Sequence, residues 1–95
     1  MTPFQDVPEA NRFEQGFDAP SGDEALVFVD YATRGETRAL LHVEADPALR
    51  GTGAAGRVME SLATHARAEG LKLQPVCNYA VVWFRRHPAW GDVLA

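Results

Sequence analysis

Cysteine is almost missing from this 95-residue sequence: Cys77 stands alone, which excludes an internal disulfide and fits a reducing compartment. Lysine is as scarce, with Lys72 the only one. No cluster of basic residues exists to neutralise a phosphate backbone, so nucleic acid is not an expected partner. Long hydrophobic runs are also lacking. The longest is residues 79–84, far below the roughly 20 needed to span a bilayer, so no membrane partner is expected. The first ten residues, MTPFQDVPEA, have neither basic charge nor an apolar core. No signal peptide is expected from them, and the expected compartment is the cytoplasm. Repeats and low-complexity tracts are absent too, leaving one domain over residues 1–95, expected as a monomer.

What is present is an ordinary globular composition, 46% hydrophobic and 23% charged, with an uneven charge distribution. Residues 1–48 carry three arginines against ten acids, whereas residues 49–95 carry six basic residues against three acids. The basic second half suits a small phosphorylated ligand, and the acidic first half a cationic acceptor; uneven scatter in a short chain gives the same numbers.

Residues 1–10, with Pro3 and Pro8, are expected to form a loose lead. A first strand is expected over 11–17, with Phe13 and Phe17 as its apolar positions. Turn chemistry at 19–23 precedes a second strand over 25–33, rich in Val, Phe and Tyr. Residues 34–36 predict a three-residue hairpin loop, and 37–45 a third strand. Strict alternation would place Ala39, Leu41, Val43 and Ala45 on one face of that strand and Leu40, His42 and Glu44 on the other. From Ala54 the period changes. Ala55, Val58, Met59, Leu62, Ala63 and Ala66 recur at helical spacing, and Gly70 closes the helix. A short strand over 71–76 follows, then a helix over 79–86 with Asn78 as its cap, stopped by Pro88. The expected order is β-β-β-α-β-α: an α+β fold of antiparallel hairpins followed by a right-handed β-α-β crossover.

The segment between the third strand and the long helix, Arg50-Gly51-Thr52-Gly53-Ala54-Ala55-Gly56, carries the chemistry. Small residues let backbone N–H groups approach an anion, and the helix start adds roughly half a positive charge. Arg50 at the rim adds a guanidinium suited to phosphate. The literal match to a dinucleotide-binding fingerprint fails, because residues 46–50 separate the strand from the first glycine. No acid follows at the required distance either. A P-loop fails for want of Gly-Lys-Ser/Thr.

Arg50, Gly53 and Ala55 resemble the Q/R-x-x-G-x-G/A pyrophosphate loop of the GCN5-related N-acetyltransferase (GNAT) superfamily. Ala45-Asp46-Pro47 looks like the strand end before that loop. Asn78, Ala80 and Trp83-Phe84 are similar to the pattern on the following helix. His42-Val43-Glu44 and Pro75-Val76-Cys77 are similar to very small members of about one hundred residues, a resemblance covering residues 11–90. It implies a GNAT-like fold with a splayed sheet and acetyl-coenzyme A as cofactor. Main-chain groups of Val43 and Ala45, Arg50, the amides of Gly51, Thr52, Gly53, Ala54 and Ala55, and Asn78 would contact the cofactor, with pantetheine in the wedge between the strands at 37–45 and 71–76. Pro75 independently weakens pairing where such a wedge would open. Full-size members carry helices between the first two strands that build the acceptor pocket. Here residues 20–24 are only a turn, which implies an open acceptor site.

Acetyl transfer to an amine needs a base, an oxyanion donor and a proton for the departing thiolate. Glu44 is the candidate base, or a solvated edge carboxylate. His42 is a proton relay, or a structural histidine. Cys77 lies between a strand end and a helix start, as nucleophile, as acid or as a small buried hydrophobe. Tyr79 is the other candidate acid, since Phe84, near where many full-size members place a tyrosine, has no proton to give. His65 and His87 have no metal-ligand spacing, and Trp83 and Trp90 read as packing aromatics. The expected function is an acetyl-coenzyme A-dependent acyltransferase, an N-acetyltransferase acting on an amine of a small molecule or protein. The alternative is a coenzyme A-binding module without turnover.

Overall fold

The computed structural model describes residues 2–95. Five strands form one sheet in chain order: β1 (Gln5–Val7), β2 (Arg12–Asp18), β3 (Glu24–Arg34), β4 (Thr37–Ala45) and β5 (Lys72–Pro75). β1 to β4 are antiparallel neighbours, and β5 joins β4 in parallel. The parallel step is made by α1 (Ala54–Glu69), and α2 (Asn78–Arg86) follows β5. The expected α+β architecture and helix α1 are observed.

Residues 2–10 are not a loose lead. Gln5–Val7 pairs with Arg12–Glu14, and Phe4 stacks on Phe13 at 5.7 Å and meets His65 at 5.4 Å. Asp6 accepts the Tyr31 hydroxyl proton at 2.6 Å. Long-range contacts, not local propensity, order this segment; Met1 lies outside the described residues. The hairpin between β3 and β4 turns on two residues, Gly35 and Glu36, not three. Gly35 takes φ +56°, a tight-turn conformation that glycine adopts without a steric penalty.

Alternation along β2 and β3 sends Phe13, Phe17, Val27, Val29 and Tyr31 to one face, where they meet the α1 stripe Val58, Met59, Leu62, Ala63 and Ala66. Full burial of a residue such as Leu62 contributes about 1.5–3 kcal/mol. Gly70 ends α1 at φ +69°, its N–H bonded to Ala66 O as in a left-handed C-terminal cap. α2 adds Ala80, Trp83 and Phe84 to the same core. The opposite sheet face carries Arg12, Phe28 and Asp30, with Arg12 bonded to Asp30 at 3.2 Å and lying over the Phe28 ring.

β4 departs from strict alternation. Tyr31 pairs with Leu40 while Asp30 pairs with His42, so Leu41 is an extra residue, a β-bulge. The bulge switches the phase. Leu40, expected with His42 and Glu44, is fully buried on the core side with Val43 and Ala45, whereas Leu41, expected with those two, is 46% exposed.

Burial and the bond to Asp6 push the Tyr31 hydroxyl up to about 12. A folded-state value above the unfolded one near 10 means that the neutral phenol stabilises the native state. That stability is complete below pH 10 and declines as pH rises through 12. Urea midpoints measured across this range should fall with pH for the wild type and more shallowly for Tyr31→Phe. Parallel profiles would contradict this assignment.

Candidate functional site

The loop between β4 and α1 is fixed by its own bonds. The Asp46 amide donates to Leu26 O at 3.0 Å, and its carboxylate accepts Ala48 N–H at 2.9 Å. A single 3-10 turn (Pro47–Leu49) sinks Leu49 into the core as an anchor. Thr52 N–H and hydroxyl both donate to Leu49 O, at 3.1 and 2.6 Å, and Thr52 Oγ1 accepts Ala54 N–H at 3.3 Å. Gly51 and Gly53 each sit at φ +78°, a conformation costly for residues with a Cβ.

Among the described residues, four main-chain N–H groups here remain without an acceptor: Gly51, Gly53, Ala55 and Gly56. The resemblance implied amides from Gly51 through Ala55. Those of Thr52 and Ala54 are already bonded within the loop, and Gly56 joins the free set. A Cβ added at Gly51 or Gly53 would meet nothing within 4 Å, so the space over the loop is open. The first turn of α1 holds no acid. Arg50 is exposed and in no ion pair among the described residues, and Arg57, likewise exposed, lines a cleft on the outer face of α1. An open loop with four unpaired donors, a helix start and the Arg50 guanidinium at its rim fits a diphosphate.

Beside this loop the sheet parts. Leu40 O accepts both Val76 N–H at 3.0 Å and Cys77 N–H at 3.1 Å, closing the β4–β5 ladder. Pro75, opposite Leu40, is the last rung. Past that point β4 pairs with β3 alone. Because Asp46 N–H points to β3, alternation puts the N–H and C=O groups of Glu44 and His42 on that side. Those of Val43 and Ala45 therefore face the gap. The free edge from Ala45 back to Leu40 runs roughly 17 Å at about 3.3 Å per residue. His42 and Glu44 share the exposed sheet face, Nε2 to Oε1 3.1 Å, with the Phe28 ring 6.3 Å from the imidazole.

On the far side of the gap, Cys77, not Asn78, caps α2. Its backbone is extended and Sγ accepts Ala80 N–H at 3.5 Å. Asn78 is the first helical residue, exposed and without a side-chain bond. Tyr79 reaches α1: an added Cβ on Gly56 would stand 3.9 Å from its hydroxyl and 3.8 Å from Trp83 Nε1. Burial raises the Tyr79 hydroxyl pKa above its ordinary value, so it stays protonated at neutral pH. Phe84 is buried, edge-on against Trp83. His65 packs between Phe4 and Phe13, and His87 stacks on Trp83 while bonding Trp83 O.

A family model described as GCN5-related N-acetyl-transferase matches residues 12–93. The chain belongs to the GCN5-related N-acetyltransferase family. Its fold is similar to the solution structure of a GCN5-like protein from Staphylococcus aureus, with a TM-score of 0.64 at 18% identity. That likeness covers 98% of this chain and 87% of the other. No curated protein matches. In this GCN5-related chain the turn at 19–23 joins β2 directly to β3, closed by Ala19 N–H to Asp23 O and Gly22 N–H to Ala19 O. Neither of the two principal clefts is lined by His42 or Glu44, so that pair is approached from open surface. The larger cleft, about 550 Å³ between Phe4, Gln15 and the outer face of α1, lies elsewhere.

Sequence reasoning counted Gly56 in the loop but not among the cofactor contacts, and it missed the Trp83 indole beside it. Spacing carried a signal: Tyr79 and Trp83 are four apart, hence on one side of α2.

Proposed function

We propose that the protein is an acetyl-coenzyme A-dependent acyltransferase that delivers acetyl to an amine. The observation that carries this reading is the set of four unpaired N–H groups at the start of α1, continuous with the free edge of β4. Acetyl-coenzyme A, when bound, supplies an activated acetyl thioester. The amides of Gly51, Gly53, Ala55 and Gly56, with Arg50 at the rim, bind and orient its diphosphate. Main-chain groups of Val43 and Ala45 hold the extended arm, and an N–H there polarises the carbonyl oxygen. The His42–Glu44 pair, on open surface beside the gap, takes the proton from the incoming ammonium. Cys77, at the apex where β4 and β5 part, returns a proton to the departing thiolate. Tyr79 lies at the loop end of the gap, so its hydroxyl suits cofactor binding better than that proton transfer.

Acetyl-coenzyme A incubated with the protein and a panel of amines should release free coenzyme A faster than a protein-free control. Glu44→Gln should lower kcat/KM by about 10²–10³-fold, the range of a lost general base, without changing coenzyme affinity. An unchanged rate would remove Glu44 from the reaction. The open surface around His42 also suits a coenzyme A-binding module without turnover. Tight binding with neither release nor acetylated product would assign that role instead. Acetyl on Cys77 by intact mass would establish a covalent route through its sulfur.

A further inference from the structure

Trp83 is a largely buried side chain beside the loop whose indole N–H has no role so far. It is 7% exposed, and its ring is clamped by His87 stacked at 3.9 Å and by Phe84 edge-on at 5.1 Å. His87 is itself held, its Nδ1 2.7 Å from Trp83 O. Yet among the described residues the indole N–H has no acceptor, and neither has the Tyr79 hydroxyl. The ring is held in place while its N–H stays open to solvent, unlike the sealed polar atoms of Arg12, Gln15 and Arg38, so a ligand over Gly56 can reach it. Both donors converge on one place, the Cα of Gly56, where the missing side chain leaves them uncovered. Side chains at a helix start lean towards the N-terminus, so this flank of the first turn borders the free amides.

We propose that Trp83 Nε1–H and Tyr79 Oη–H form a side-chain arm of the anion cradle, donating to the cofactor's diphosphate from the flank that Gly56 leaves open. The assignment rests on the coenzyme reading above. It makes α2 part of the phosphate site and gives Gly56 a purpose that a turn does not require. The raised pKa of Tyr79 keeps that donor protonated. Gly56 lies within α1, where alanine is the better helix former, and an alanine Cβ there would make only ordinary contacts.

The test is calorimetric titration of the intact protein with coenzyme A, alongside the indole proton resonances followed by NMR. Trp90→Phe assigns the Trp83 signal. Trp83→Phe keeps an aromatic ring and removes the donor, so the dissociation constant should rise about tenfold to a hundredfold, the scale of one hydrogen bond to a charged group. Tyr79→Phe should do the same independently, covering the case in which Trp83→Phe perturbs packing. Gly56→Ala should melt no lower than wild type yet bind more weakly. Coenzyme A and inorganic pyrophosphate should each shift the Trp83 indole proton and leave that of Trp90 in place. Wild-type affinity in all three variants with an unmoved Trp83 resonance would overturn the arm while leaving the coenzyme reading intact. A shift with coenzyme A but not with pyrophosphate would overturn the phosphate assignment. No binding of coenzyme A by the wild type would defeat the coenzyme reading itself, and the arm with it.

Discussion

Gly53→Asp is expected to abolish coenzyme A binding, while Gly53→Asn weakens it far less. The two variants share shape and backbone strain. Gly53 sits at φ +78°, where a residue with a Cβ costs roughly 1–2 kcal/mol, a penalty that Asn and Asp moderate. A Cβ added there meets nothing within 4 Å, so both side chains start into open space. Both should therefore melt at similar temperatures. Only aspartate places a negative charge where the diphosphate would lie. At about 4 Å near a protein surface, like charges repel by ~4 kcal/mol, enough for about 100-fold or more in affinity after screening. Equal affinities for the two variants, measured calorimetrically at low salt, would put the anion elsewhere.

The second large effect concerns the fold that holds the loop. Phe13 is fully buried in β2, with Tyr31 at 4.5 Å, Phe4 at 5.7 Å and His65 at 5.7 Å. It joins the N-terminal strand, the sheet and the outer side of α1 in one contact group. Phe13→Ala removes the ring from a site whose neighbours come from three elements and are unable to collapse together. The expected loss is about 3–5 kcal/mol, against about 5–15 kcal/mol for a whole domain. The urea midpoint should fall steeply with an unchanged slope. A loss below about 1 kcal/mol would mean that residues 4–7 do not pack as described.

The parts legible in the sequence are those set by local rules. Helix α1 follows from its apolar stripe and Gly70. The loop follows from glycines too frequent for a turn and too far from the strand for a dinucleotide fold. The parts that were not legible depend on distant residues. Gln5–Val7 is a short, polar edge strand whose order derives from Phe4 on Phe13 and Asp6 on Tyr31. The bulge at Leu41 is hidden because Ala39, Leu40 and Leu41 are all apolar, so either phase satisfies the pattern, and pairing with Asp30 and Tyr31 decides it. Cys77 was overlooked as a cap because sulfur is an uncommon acceptor in that role, and Asn78 beside it is a favoured one. At the site, residue types marked the loop, but only the backbone path shows which amides are spent on Leu49 and Thr52.

The most direct test of the account is an amide-resolved NMR titration with coenzyme A. The amide protons of Gly51, Gly53, Ala55 and Gly56 should move together with one micromolar-range dissociation constant, about −8 kcal/mol. Those of Thr52 and Ala54, already bonded inside the loop, should move less. Resonances at these four positions that stay fixed at millimolar coenzyme A would contradict the account.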